Sequence, residues 1–132
     1  MNNLNLGLLI LRLSLGILML LHGIAKITNG VGSIENMLEK AGLPAFFAYG
    51  TYLGEILAPV LLIIGFRTRI ASFLFICTML VAIFIANPHK VTMLLNTGGW
   101  AVELQALFLF GALTLFFTGG GKLSVSTRNK WD

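Results

Sequence analysis

The sequence predicts an all-α membrane protein: a four-transmembrane-helix bundle with a short amphipathic helix between the first two spans. Three observations predict it. Of 132 residues, 57% are hydrophobic and 11% charged, and mean hydropathy is +0.90. A soluble domain carries about 25% charged residues, so this chain has too few polar side chains to cover a soluble surface. Four apolar runs, at residues 6–27, 46–66, 69–86 and 99–118, each approach the ~20 helical residues that cross ~30 Å of hydrocarbon. The connections between them hold turn residues: Gly42 with Pro44, the tight turn at 65–69, and Pro88. No internal repeat or second domain is visible, so residues 1–132 read as one domain with a tail at 119–132.

The first run carries Arg12, His22 and Lys26 among Leu and Ile. At about 100° per residue, Arg12 and Lys26 lie about 40° apart around the helix, and His22 lies about 40° from Lys26. Gly16 and Gly23 fall on the same side, where a second backbone can come close. A cleaved signal peptide is not expected: Arg12 sits inside the apolar run, with no basic residue before it and no small-residue cleavage site after it.

Between the first two runs, Ile34, Met37, Leu38 and Ala41 form an i, i+3, i+4, i+7 stripe. Ser33 is the expected N-cap, and Gly42 with Pro44 the expected stop. The stripe suits a short surface helix on the bundle end, or a lid over polar residues beneath it. Residues 65–69 make a tight basic turn. Residues 87–98 contain Pro88, His89 and Lys90 and then an apolar patch. The glycines at 119–121 read as a flexible exit, and the tail beyond them as exposed.

Loop charge orients the bundle. One side has Arg67, Arg69, Lys122, Arg128 and Lys130; the other has Lys40 and Lys90 beside Glu35 and Glu39. The positive-inside rule places both termini in the cytoplasm and Trp100 at the outer interface.

The second and fourth runs add Glu55 and Glu103. An ionised side chain at the bilayer centre costs about 2.5 kcal/mol or more, so such groups persist when paired or functional. Arg12, His22, Lys26, Glu55 and Glu103 form the candidate binding cluster. By depth, Lys26 or His22 should lie near Glu103, with Glu55 below and reaching towards Arg12. Pro59 cannot donate an N–H to the Glu55 carbonyl, so both oxygens of residue 55 seek partners on the first helix or in water. Two readings stand: pairs that fix helix register, and a binding or proton-handling site opening outward. The third run has no ionisable side chain within its apolar stretch and should be peripheral or face another subunit.

Other chemistries find no support in these residues. Cys77 is the single cysteine, which excludes an intrachain disulfide, and it is expected as a small buried packing residue. No cluster has metal-ligand spacing, so no metal is assigned. Phosphate-cradling glycine motifs are absent. The basic residues are few and scattered, which argues against nucleic acid. His89 reads as an interfacial loop residue, or as a companion of His22 at an outer mouth. Gln105 lies about 200° from Glu103 and should meet a different neighbour.

Taken in order, these pieces resemble the DoxX family of small bacterial integral membrane proteins. The resemblance rests on Arg12-Leu13 with Gly16, on residues 22–26 (His-Gly-Ile-Ala-Lys), on Gly42-Leu43-Pro44 and on Glu55. It continues through residues 65–71, Met79, and Gly99 with Glu103. The closing segment departs from the family's glycine-proline-glycine pattern. The resemblance implies a four-helix protein of the bacterial plasma (inner) membrane. It also implies an association with respiratory or redox systems, including quinone-linked oxidoreductases. A quinone is therefore the implied cofactor class, and oxidoreductase activity is implied by resemblance only; the residues assign no catalytic group. The expected partners are the lipid bilayer, membrane or soluble redox proteins, and further copies of the chain. The competing functions are a non-enzymatic membrane scaffold or assembly subunit and a small transporter or proton path.

Overall fold

The computed structural model describes residues 3–132; residues 1 and 2 of the expected 1–132 domain lie outside the described residues. The chain is helical throughout its core, and the one β-type pairing among the described residues is an isolated bridge between Leu94 and Trp100. Helix α1 spans Asn3–Asn29 and α2 Gly32–Lys40. The next apolar stretch changes pitch twice: a 3₁₀ turn at Ala45–Gly50, a widened π turn at Leu53–Leu57, then α3 at Ala58–Ile64. Helix α4 spans Thr68–Val81 and widens into a second π turn at Ala82–Ala86. Helix α5 spans Glu103–Thr118.

Three of these stretches are long and apolar enough to cross a membrane: Asn3–Asn29, Ala45–Ile64 and Thr68–Ala86. Helix α5 is equally apolar but has 16 residues, because it begins at Glu103 and not at residue 99 as expected. The reason is local. Gly98 adopts a left-handed φ of 89°, and the Leu94–Trp100 bridge holds the preceding chain extended. Large apolar side chains cover the exterior; Leu107 is 69% and Phe117 71% exposed. Patches of that size on a soluble monomer would drive association, whereas hydrocarbon solvates them.

Close backbone contacts set the register of α1 against the second span. A Cβ on Gly16 would lie 2.9 Å from the Pro59 carbonyl oxygen and 2.6 Å from Ile63 Cγ1. A Cβ on Gly23 would fall on the Glu55 carbonyl oxygen. The same-face glycines of α1 are thus the seam of an antiparallel helix pair, as small residues are at other membrane interfaces.

Four sequence expectations change. The third apolar run is central, not peripheral: Ala71 and Phe75 are fully buried, and Met79 is 2% exposed. They pack with Leu15, Leu62, Phe108 and Ala112 in one core, because α4 lies between the second span and α5. Cys77 is exposed, since it falls on the opposite face of α4 from Phe75 and Met79. Ser33 makes no capping bond; Val31 precedes the helix and Ser33 lies inside its first turn. Gly42 does end α2, with φ of 80° and the Leu43 N–H on the Leu38 carbonyl.

The fourth is the glycine exit, which is closely packed and not a flexible linker; the tail beyond it is largely exposed, as expected. The tail folds back across the helix ends, with Val125 and Ser126 N–H groups on the carbonyls of Ile64 and Gly65. Arg69 N–H donates to the Trp131 carbonyl, and Gly120 N–H to that of Asp132. Gly119 and Gly120 are buried. A Cβ at Gly120 would lie 2.5 Å from Thr68 Oγ1, so this glycine serves close packing. Helix ends leave carbonyls without intrahelical partners, and the tail supplies the donors.

Candidate functional site

Antiparallel pairing of α1 with the second span fixes which ionisable groups meet. Lys26 leaves α1 one turn before its end, and a helical side chain leans towards its own N-terminus. That direction carries Lys26 back over Gly23 to Glu55. Lys26 Nζ donates to Glu55 Oε1 at 2.6 Å, and the two side chains are 30% and 7% exposed. The second carboxylate oxygen, Oε2, is buried and accepts no hydrogen bond among the described residues. Tyr52 OH donates to the Lys26 carbonyl at 3.4 Å and ties the second span to the same turn of α1.

The backbone at Glu55 follows from Pro59. Proline has no N–H for the residue-55 carbonyl, so the regular helical ladder fails there. The chain widens, and Ala58 N–H donates to the Leu53 carbonyl instead. Widened turns of this kind recur at functional sites because they re-aim side chains. The second π turn, at Ala82–Ala86, faces the first across the same space. Asn87 Nδ2 donates to the Ala82 carbonyl at 2.9 Å there.

Between these two irregular turns lies a cavity of about 250 Å³. Helices α1, α2, α4 and α5 and the irregular first half of the second span contribute to its wall, and α3 does not. His22, Lys26 and Met19 come from α1; Ile34 and Met37 from α2; Thr51 and Glu55 from the second span. Thr78 and Met79 come from α4, and Leu104, Gln105 and Phe108 from α5. The His22 ring stands edge-on to Phe108, with centroids 6.4 Å apart. A few convergent polar groups on a mainly apolar wall is the usual make-up of a small-molecule site.

Of the five residues expected to cluster, three therefore meet: His22, Lys26 and Glu55. Glu55 does not reach Arg12, and Lys26 does not pair with Glu103. Arg12 is fully buried about 21 Å from Lys26 along α1, at 1.5 Å per residue. Its Nη1 donates to the carbonyls of Leu62 at 3.0 Å and Ile63 at 3.4 Å, and its Nη2 to that of Leu123. Arg12 thus satisfies the last-turn carbonyls of α3, where the helix dipole places negative charge, and holds the tail over them. Gly65 has no room for a Cβ because Arg12 and Ser124 occupy it. Glu103 is exposed in the first turn of α5, where a carboxylate suits the positive end of the helix dipole. Its oxygens lie against Gly99 and not against the cavity.

The remaining cavity residues carried weak sequence signals. Thr78 donates to its own helix at Leu74, and Gly54 leaves the space that Thr78 occupies. Gln105 faces the cavity and Glu103 does not, as their angular separation predicts. His89 is exposed in the turn at Pro88–Lys90 and does not line the cavity. No group of three or more metal-ligating side chains occurs among the described residues.

An all-helical core, an apolar exterior and three helical stretches long enough to cross a bilayer define a membrane protein. The DoxX family model matches residues 7–88, and the chain belongs to the DoxX family. The matched region contains Arg12, His22, Lys26 and Glu55; Glu103 and the tail lie beyond it. No curated protein and no solved structure matches the chain.

Proposed function

We propose that this protein is a multi-pass component of a bacterial respiratory or redox system that holds a quinone head group between His22, Lys26 and Glu55. One observation carries the reading: the Lys26–Glu55 pair forms part of a cavity wall, with Glu55 Oε2 left without a donor. The residues fit such a group. Lys26 and His22 can donate to quinone carbonyl oxygens, and Glu55 Oε2 can accept from a quinol hydroxyl. When bound, a quinone supplies two-electron, two-proton carrier chemistry. The chain's own groups bind it, orient it and hold a proton at Glu55 or His22. Ile34 and Met37 place α2 over the cavity as a lid.

In this reading α5 is the fourth span. It is about 24 Å long at 1.5 Å per residue, and no charged residue follows Glu103 before its end. Both termini face the cytoplasm, consistent with five basic residues on that side against two on the other. The protein resides in the plasma membrane and passes electrons to or from a protein partner. Lipid extracts of the protein purified from native membranes should contain quinone, and the Glu55→Gln and His22→Ala variants should have lost it. Quinone-free wild-type extracts together with unchanged respiration in a deletion strain would end this reading.

A scaffold or assembly role is the second reading. It is favoured by the close 2.6 Å pairing of Lys26 with Glu55, which locks α1 to the second span. Crosslinking through exposed Cys77 in native membranes should then capture a neighbouring subunit. A monomer that recovers no partner would exclude it.

A further inference from the structure

A second hollow adjoins the cavity. It lies between α1 and α5, measures about 380 Å³, and is lined by Leu18, Leu21, His22, Ala25, Leu104 and Phe108. Three of these residues, His22, Leu104 and Phe108, also line the polar cavity. The two spaces are therefore separated by one layer of side chains. Leu18, Leu21 and Leu104 are each at least half exposed on the surface that faces hydrocarbon. The polar cavity, at about 250 Å³, is smaller than the ~300–1,000 Å³ of ordinary small-molecule sites. It can hold a head group but not a long apolar chain as well.

We propose that the α1–α5 groove is a lateral doorway, where the apolar chain of the cavity's ligand lies and through which the ligand arrives from the bilayer. The proposal rests on the reading of the cavity as a head-group site. Its occupant is an amphiphile with a compact polar head and a flexible hydrocarbon chain. Five groove residues are apolar and suit the chain. His22 is the sixth, and it stands where head meets chain. Phe108 is 5% exposed and held by Phe75, with ring centroids 5.8 Å apart, so it forms the fixed jamb. Leu104 is the movable side, since it is half exposed. Such a ligand never crosses water, and α2 can stay closed over the outer end during exchange.

The test places one thiol in the cavity and asks from which side it is reached. The full chain carries Gln105→Cys in a Cys77→Ala background and is reconstituted in liposomes. It is treated with a bilayer-soluble N-alkyl maleimide and, separately, with a small water-soluble maleimide. Filling the groove with Ala25→Trp should slow the bilayer-soluble reagent at least 10-fold and leave the water-soluble one unchanged. Leu21→Trp should do the same, and Ile10→Trp, elsewhere on the exposed face of α1, should change neither. Bilayer-soluble labelling that is insensitive to both groove variants would overturn the doorway, as would a thiol that neither reagent reaches. Groove-sensitive labelling in a protein that binds no quinone would keep the doorway and discard the quinone reading. Bound quinone with groove-insensitive labelling would do the reverse.

Discussion

Gly23 of α1 lies so close to the carbonyl of Glu55 that a Cβ at position 23 would fall on that oxygen and lie 2.7 Å from Ile56 Cγ1. This contact fixes the depth at which Lys26, one turn further on, meets the Glu55 carboxylate. Gly23→Ala should push the second span off α1 at a cost of about 1–3 kcal/mol, the usual range for overpacking. Gly7→Ala is the control, because a Cβ there meets nothing within 4 Å. It should be neutral or stabilising by up to about 1 kcal/mol. Unfolding of both variants in mixed detergent micelles measures the difference.

The Lys26–Glu55 pair is asymmetrically buried, and its two halves should respond unequally. Lys26→Met strands a carboxylate that is 7% exposed, whereas Glu55→Gln leaves a lysine that is 30% exposed. The first should cost about 1–3 kcal/mol, below the ~3–5 kcal/mol of a fully buried broken pair, and the second less. The double variant should cost less than the sum. A double-mutant cycle of unfolding free energies checks both statements.

Arg12 acts through geometry that lysine cannot copy. Its planar guanidinium serves three carbonyls, two on α3 and one on the tail. Arg12→Leu should destabilise the protein by about 2–4 kcal/mol, because charged hydrogen bonds are lost and carbonyls are left buried. Arg12→Lys should recover less than half of that. Limited proteolysis within residues 122–131 should accelerate in both variants. Arg12→Leu that unfolds like the wild type and keeps its tail protected would contradict this capping role.

Tail docking should depend on pH through Asp132, which lies outside the spans. Burial pushes its carboxyl up, but the Ser126 hydroxyl, the Asn129 N–H and Arg67 together hold it below its ordinary 3.8. Arg67 Nη1 donates to Asp132 Oδ1 at 3.0 Å. Because the folded carboxyl is the stronger acid, its contribution is complete above the unfolded value and is lost as pH falls through the folded one. Tail protection measured by hydrogen exchange should therefore decline below about pH 3.8. Asp132→Asn should remove that pH dependence and loosen the tail at neutral pH.

These residues also show what a sequence can and cannot convey. Composition and run length are sufficient for an all-helical membrane protein, because hydrocarbon permits few alternatives. The glycines at 16 and 23 mark the α1 seam, since a close backbone approach requires them. Depth separated Arg12 from Lys26, by about 21 Å of helix, but it set Glu55 too low, reaching towards Arg12, when its carboxylate meets Lys26. The pairing of Lys26 with Glu55, in place of Glu103, depended on two things invisible in one run. One is the antiparallel offset of α1 against the second span. The other is the late start of α5, imposed by Gly98 and the Leu94–Trp100 bridge. Pro59 hinted at the irregular turn at Glu55. The matching widened turn at Ala82–Ala86 carries the same mark, because Pro88 follows it at the offset at which Pro59 follows Leu53–Leu57 and has no N–H for the Phe84 carbonyl.

In the proposed function the cavity beside Lys26 and Glu55 receives the polar head of a bilayer-borne ligand. Equilibrium binding of a benzoquinone with a ten-carbon chain to the protein in lipid nanodiscs tests it most directly, with wild type compared with Glu55→Gln and Glu103→Gln. Wild type should bind the benzoquinone saturably, Glu55→Gln at least 10-fold more weakly, and Glu103→Gln, whose carboxylate lies outside the cavity, with wild-type affinity. Absence of saturable binding, or equal loss in both variants, would contradict the proposed function.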